Sequence, residues 1–288
     1  MFININKYKF YMYSNSYNFN NNFDKIIVIG DIHGDLKRLK HILVNDNIIN
    51  KDLEWIANNV IIIQVGDQID SLNRNDNIEE WEILKDIEVL NFTNLLSKLA
   101  LENNSLFISL NGNHELMNIL GNFSYVSKNS LYENRLNNFK FKGIYNDIIG
   151  NRPIVIKVND LIFCHAGVKK LHLDILDKYN KDIFYLNTIW KKFVLLNKVD
   201  INDKEIFDKI ILNDEGILWT RNEDSPDDIN YVLNKLNSTF IFIGHNTVPN
   251  IFLNNNIWYV DNSISRSYGK NNYEYIRIQN KNITIVKI

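Results

Sequence analysis

A single layered α/β domain is the fold the sequence predicts, on three observations. Strand-like and helix-like segments alternate from residue 25 onward. The strand-like ones are continuous apolar runs, the pattern of strands covered on both faces. No Pro/Gly/Ser-rich linker divides the chain, which holds only three prolines in 288 residues. A chain of this length can enclose one sizeable core, and 45% hydrophobic against 23% charged residues is an ordinary globular balance.

The elements follow in order. Residues 1–23 mix Asn, Tyr and Phe without pattern and read as an arm, either disordered or laying its aromatics on the core; the domain itself spans 24–288. "KIIVIG" is the first buried strand, and "DLKRLKHILV" sets Leu36, Leu39, Ile42 and Leu43 on one helical face. "NVIIIQVG" is the second strand, residues 78–102 one long amphipathic helix, and "SLFISLNG" the third strand. Strand, helix, strand, helix, strand implies a parallel core. Residues 122–151 read as an irregular, partly helical insertion. "PIVIKVNDLIFCHAG" is a hairpin turning at Asn159-Asp160, and residues 170–213 are helical. "TFIFIGHN", "IWYVDNS", "YEYIRIQ" and "ITIVKI" are strands, the last two joined at Asn280-Lys281-Asn282.

Composition excludes several classes of function. A net charge of −2 offers no basic stripe for nucleic acid. No run approaches the roughly 20 apolar residues a membrane span needs. The single cysteine, Cys164, rules out an internal disulfide, and the start of the chain lacks a signal-like apolar block. The expectation is a cytoplasmic protein that binds neither nucleic acid nor membrane.

Chemistry collects at the ends of the predicted strands. Asp31 and His33 follow "KIIVIG", Asp67 and Asp70 follow "VIIIQVG", and Asn113, His114 and Glu115 follow "FISLNG". His165 follows "LIFC", and His245 follows "TFIFIG". Ligands of open α/β sheets sit beyond the carboxyl ends of the strands, and a neighbouring glycine lets the backbone turn and approach closely. Asp31, His33, Asp67, Asn113, His165 and His245 mix oxygen and imidazole donors, a set suited to Mn, Fe or Zn. Six such donors exceed what one ion takes from protein, so two cations sharing a carboxylate is the reading. His41 and His172 fall outside this set and read as surface or core-edge residues. Cys164 ends a buried strand and reads as a small hydrophobe, without a free His/Asp pair to activate it.

In order and wording, "GDIHG", "GDQID", "GNHE", "HAG" and "GH" resemble the motifs of the calcineurin-like metallophosphoesterases of the phosphoprotein phosphatase superfamily. "GNHELMNILGNFSYV", "ILWTR" and "VDNSISR" are similar to its Shewanella-like branch. The resemblance spans residues 26–266 and implies a central β-sandwich of mixed sheets flanked by helices. It implies that Asp31 and His33 bind a first metal, that Asp67 bridges, and that Asn113, His165 and His245 hold a second. Manganese is the ion to supply in vitro. It implies His114 as proton donor, oriented by Asp70, in hydrolysis of a phosphorylated protein substrate by a metal-bridging hydroxide. Glu115 would brace the loop by hydrogen bonding, and Met117 and Ile119 read as core.

Two departures bear on the substrate. Where the family continues with Asp-Arg-Gly, this chain has Asp70, Ser71 and Leu72, and Ser124 replaces an arginine of the branch pattern. Arg74 and Arg221 are the candidates for gripping phosphate, since a guanidinium can bond it bidentately; Arg266 is a weaker one. Trp219 reads as packing and Tyr125 as groove lining. Two further readings stay open: a dinucleoside polyphosphate hydrolase, suggested by His-Ala-Gly in place of His-Gly-Gly, and a catalytically weak protein that holds phosphorylated partners.

Overall fold

The computed structural model describes residues 18–19, 23–74, 86–128, 130–221 and 224–288. Its strands are β1 (Asn18–Phe19), β2 (Lys25–Ile29), β3 (Val60–Gln64), β4 (Leu106–Ser109), β5 (Val155–Val158), β6 (Leu161–Cys164), β7 (Phe240–Ile243), β8 (Phe252–Asn254), β9 (Ile257–Tyr259), β10 (Glu274–Gln279) and β11 (Asn282–Lys287). They form two mixed sheets, ordered β11-β10-β2-β3-β4 and β1-β5-β6-β7-β9-β8. Strands β2, β3 and β4 run parallel, as do β6, β7 and β9, whereas β10 lies antiparallel to β2 and β5 to β6.

The unbroken apolar runs have a physical cause. Side chains alternate between the two faces of a strand, and both faces are covered here. On β2 and β3, Ile26, Val28, Ile61 and Ile63 join Ile156, Val158, Phe163 and Phe242 of the other sheet in one cluster between the sheets. Their neighbours Ile27, Ile29 and Ile62 meet Leu39, Ile42 and Leu43 of helix α1 (Leu36–Asn45) and Val89 and Leu96 of α2 (Ile87–Glu102). The second sheet turns Ile162, Cys164, Ile241 and Ile243 outward to Leu186, Ile189 and Trp190 of a further helix, Tyr185–Leu196. Helix, sheet, sheet, helix is the layer order, as the sequence led us to expect. Among the described residues no helix is long and apolar enough to cross a membrane.

Several expectations change. Of the long helix expected over 78–102, the structure shows Ile87–Glu102; residues 78–85 lie outside the described residues. Most of the arm lies outside them too, but Phe19 and Phe23 pack on the inter-sheet cluster and β1 pairs with β5. Strand β8 is an addition: it forms a hairpin with β9 through Asn255 and Asn256, whose φ of 43° and 63° suit a two-residue turn. The insertion holds two short helices, α4 (Arg135–Phe139) and α5 (Ile144–Gly150), behind α3 (Asn113–Ile119). His172 is fully buried in Lys170–Lys178, not at an edge, because both its ring nitrogens find backbone partners.

Candidate metal and phosphate site

The strand ends converge on one cleft of about 820 Å³, lined by Asp31, His33, Asp67, Arg74, Asn113, His114, Arg221 and His245 among others. His165 lies fully buried beneath it and Asp70 behind His114. Asn113 and His114 are not borne on a strand end, as expected, but open the first turn of α3, four residues past β4.

Three imidazoles are fixed by the same device. His33 Nδ1 meets Ile69 O at 3.1 Å, His165 Nδ1 meets Val65 O at 2.9 Å, and His245 Nε2 meets Trp219 O at 2.9 Å. A carbonyl can only accept, so each of these nitrogens carries a proton and the other ring nitrogen is turned toward the site. That is how proteins orient metal-binding histidines. His33 Nε2 then lies 3.9 Å from both Asp31 Oδ2 and Asp67 Oδ2, and His165 Nε2 lies 3.2 Å from Asp67 Oδ2 and 2.9 Å from Asn113 Oδ1.

Asp67 is shared. Ligand atoms of His33, Asp67 and His114 lie within 4.8 Å of one another, and so do those of Asp67, His165 and His245. Its Oδ1 is taken by the His114 N–H at 3.0 Å, leaving Oδ2 to face the ring nitrogens. Electrostatics follow from this crowding. Burial, with the Asp261 and Asp67 carboxylates nearby, holds the pKa of Asp31 well above the usual value. For Asp67 burial pushes the same way, but His165 and His114 outweigh it and the pKa falls well below normal. Burial, then His165 and Arg221, lower His245 to about 3. Burial opposes but Asp67 raises the pKa of His165, and buried carboxylates beside imidazole nitrogens and a carboxamide oxygen are a fitting donor set for divalent first-row cations.

The backbone is built around these groups. His33, Asp67, Asp70 and His245 take φ of 40°, 53°, 68° and 60°, a region non-glycine residues seldom enter and that clusters at functional sites. A Cβ on Gly112 would press on Asp67 Oδ1 and the His165 ring, and one on Gly244 on Asp31 Oδ1. Glu115 braces the same corner: its carboxylate accepts the N–H groups of Asp67, Gln68 and Gly112 at 3.0, 2.9 and 2.7 Å.

A profile of the calcineurin-like phosphoesterase family matches residues 24–286, nearly the whole chain and every strand end just described. The chain belongs to that family. The phosphoesterase is 29% identical over 290 residues to "Shewanella-like protein phosphatase 1" of Plasmodium berghei (strain Anka), covering 92% of this chain and 74% of that protein. It is 30% identical over 110 residues to "Shewanella-like protein phosphatase 2" of Arabidopsis thaliana, covering 38% of this chain and 25% of that protein. The fold is shared with a cold-active protein-tyrosine phosphatase of a psychrophilic Shewanella species (TM-score 0.75, 20% identity, 94% of this chain and 81% of that one). It is shared also with a protein serine/threonine phosphatase from Saccharomyces cerevisiae (TM-score 0.61, 15% identity, 95% and 83%). The phosphoesterase is thus a phosphatase-type hydrolase with residue groups able to hold divalent metal.

Its arginines sort clearly. Arg74 enters the cleft with its guanidinium 4.9 Å from the Tyr268 ring centre and 5.7 Å from that of Tyr125, its backbone N–H held by Ser267 O at 2.8 Å. Arg221 lines the same cleft, donating to His245 O at 2.9 Å. Arg266 is spent on Asp35, with Nε and Nη2 at 2.8 and 3.1 Å from its oxygens. Ser71, in the family's arginine position, is buried and pairs with Ser127 Oγ at 2.9 Å. Met117, read as core, is buried but also lines the cleft, and Trp219 both packs on the core and lines it. Sequence reasoning missed Asp261, although it lies within "VDNSISR", and Tyr268, two residues beyond it. Burial pushes Cys164 up to about 12, far from a reactive thiolate.

Proposed function

We propose that the phosphoesterase hydrolyses phosphate monoesters of phosphoproteins, at Ser, Thr or Tyr, using two divalent cations, with manganese the first to try. Asp31 and His33 would hold one ion, Asn113, His165 and His245 the other, and Asp67 would lie between them. When bound, such ions screen the phosphate's charge and lower the pKa of a water. Hydrolysis adds the oxygen of a water to phosphorus as the ester P–O bond breaks, and the departing alkoxide of Ser or Thr would need a proton. His114 supplies it from Nε2. The observation that carries this reading is the His114 Nδ1 to Asp70 Oδ2 bond of 2.7 Å, which leaves Nε2 on the cleft side, 3.7 Å from Asp67 Oδ2. Asp67 and the bonded Asp70 raise the His114 pKa against the opposing pull of burial, so the ring is held as an acid. Arg74 and Arg221 would grip the phosphate oxygens from two sides.

The test is turnover with Mn²⁺ supplied and bound metal assayed, on phosphoserine/threonine peptides, a phosphotyrosine peptide and a dinucleoside tetraphosphate side by side. Turnover on phosphopeptides is expected. Turnover on the tetraphosphate alone would make the protein a nucleotide hydrolase. Inertness on all three with metal verified would make it a binder of phosphorylated partners. His114→Asn should keep its metal and lose about 10²- to 10⁴-fold in kcat on alkyl phosphates.

A further inference from the structure

We infer that Arg135, from the insertion, is a positioning residue for the His114–Asp70 pair; the inference rests on His114 being the proton donor. Arg135 opens α4 and is 1% exposed, yet all its N–H groups are used. Nε donates to Asn118 Oδ1 at 2.9 Å. Nη1 donates to Asp86 Oδ1 at 2.9 Å and Ser130 O at 3.0 Å, and Nη2 to Asp86 Oδ2 at 2.8 Å and Asp70 Oδ1 at 3.4 Å.

Two of these partners, Asn118 and Asp86, lead back to Asp70. Asn118 Nδ2 donates to Asp70 Oδ1 at 2.8 Å and to His114 O at 2.9 Å, so the carboxamide spans the pair. Asp86 Oδ2 accepts the Asp70 N–H at 3.0 Å, fixing a backbone whose φ is 68°. With Oδ1 of Asp70 occupied, Oδ2 is left to aim at His114. Asp70 and Asp86 are both fully buried, and a guanidinium facing both removes the repulsion that would push them apart. The fork is rigid and planar, which fixes direction as well as charge.

The insertion thus supports the acid from behind, and Tyr125, also in the insertion, stands 5.0 Å in front of the His114 ring at a T-shaped angle. A residue that acts only through His114 matters in proportion to the leaving group's need for a proton. Nitrophenolate departs without one, whereas an alkoxide does not.

The experiment compares kcat on an alkyl phosphate and on p-nitrophenyl phosphate for Mn²⁺-loaded wild type, His114→Asn, Arg135→Ala and Asn118→Leu, with bound metal measured in each. Arg135→Ala should lose about 10- to 100-fold on the alkyl ester and less than about 3-fold on the nitrophenyl ester, with metal content unchanged. Added guanidinium at low millimolar concentration should restore part of the alkyl-ester rate. Where Arg135→Ala does not fold, Asn118→Leu carries the test, since it keeps the Arg135–Asp86 pair and should show the same selectivity, less strongly. Equal losses on both esters, or none on the alkyl ester, overturn the inference while His114→Asn is still selective. If His114→Asn shows no leaving-group selectivity, the proton-donor reading fails and this inference falls with it.

Discussion

At the strand ends, His33, His165 and His245 each give a ring N–H to a main-chain carbonyl, and Asp31 and Asp67 each accept a main-chain N–H. Elsewhere in the cleft lining, Arg74 leans on two tyrosine rings and Arg221 on one carbonyl and a carboxamide. The first region is locked to backbone at each of these five side chains. The second is held by loops and stacking. A metal cradle needs fixed distances, so its anchors are backbone groups that substitutions elsewhere do not move. A wall that grips phosphate, as proposed for Arg74 and Arg221, would tolerate change: where the family pattern has an arginine this chain has Ser71, and Arg74 follows three residues later. On the proposed reading the cradle would fix the chemistry and the wall would set the choice of substrate.

The largest effect should come from the group that both halves of the cradle share. Asp67→Asn should abolish turnover, by more than about 10³-fold, and lower bound metal, measured by elemental analysis of the purified protein. Gly112→Ala should do the same without altering any donor, because its Cβ would displace Asp67 Oδ1. An active, metal-replete Gly112→Ala would mean that the cradle is not locked as described.

The wall should respond more mildly and in a different quantity. Loss of one charge-assisted contact is worth about 1.5–3 kcal/mol, so Arg221→Ala and Arg74→Ala should each cost about 10- to 100-fold in kcat/KM. Bound metal should stay at the wild-type level in both. If Arg74→Ala is silent, the aromatic stack is only a resting place for a solvated cation. If Arg221→Ala also loses metal, its bond to His245 O makes it part of the cradle and blurs the division.

This division also governs what was legible in the sequence. The cradle residues sit one to four residues after apolar runs that declare themselves as strands, and adjacent glycines mark the crowding around Asp31 and Asp67. Glu115 could be read as a brace for the same reason. Arg74 could only be proposed, since its place depends on Ser267, far along the chain. Arg135 carried no signal at all: it lies in a segment without periodicity, and its partners Asp70, Asp86 and Asn118 come from three separate stretches. Strand β8 is three residues long between asparagines, too short for any pattern. The left-handed backbone at His33, Asp67 and His245 is likewise invisible in residue type, because the packing of the sheet ends imposes it.

The smallest effect is one of stability, and it concerns how the wall is tied down. His172 accepts the Lys169 N–H on Nδ1 at 3.1 Å and donates from Nε2 to Glu215 O at 2.8 Å, just before the turn that leads to Trp219 and Arg221. Burial lowers its pKa from 6.5 to about 4. A proton on Nδ1 would face the Lys169 N–H, so the folded state takes it up less readily than the unfolded chain does. The stabilising contribution is therefore complete above pH 6.5 and is lost as pH falls from there towards 4. Its full size is about 3 kcal/mol at 1.36 kcal/mol per unit, an upper bound. Urea unfolding of wild type and His172→Gln, followed from pH 7 to pH 4, isolates this contribution from the other histidines. The wild type should lose stability more steeply than the variant, with activity at pH 7 similar in both. Parallel curves would mean that His172 titrates normally and that the wall is no more acid-sensitive at this anchor than anywhere else.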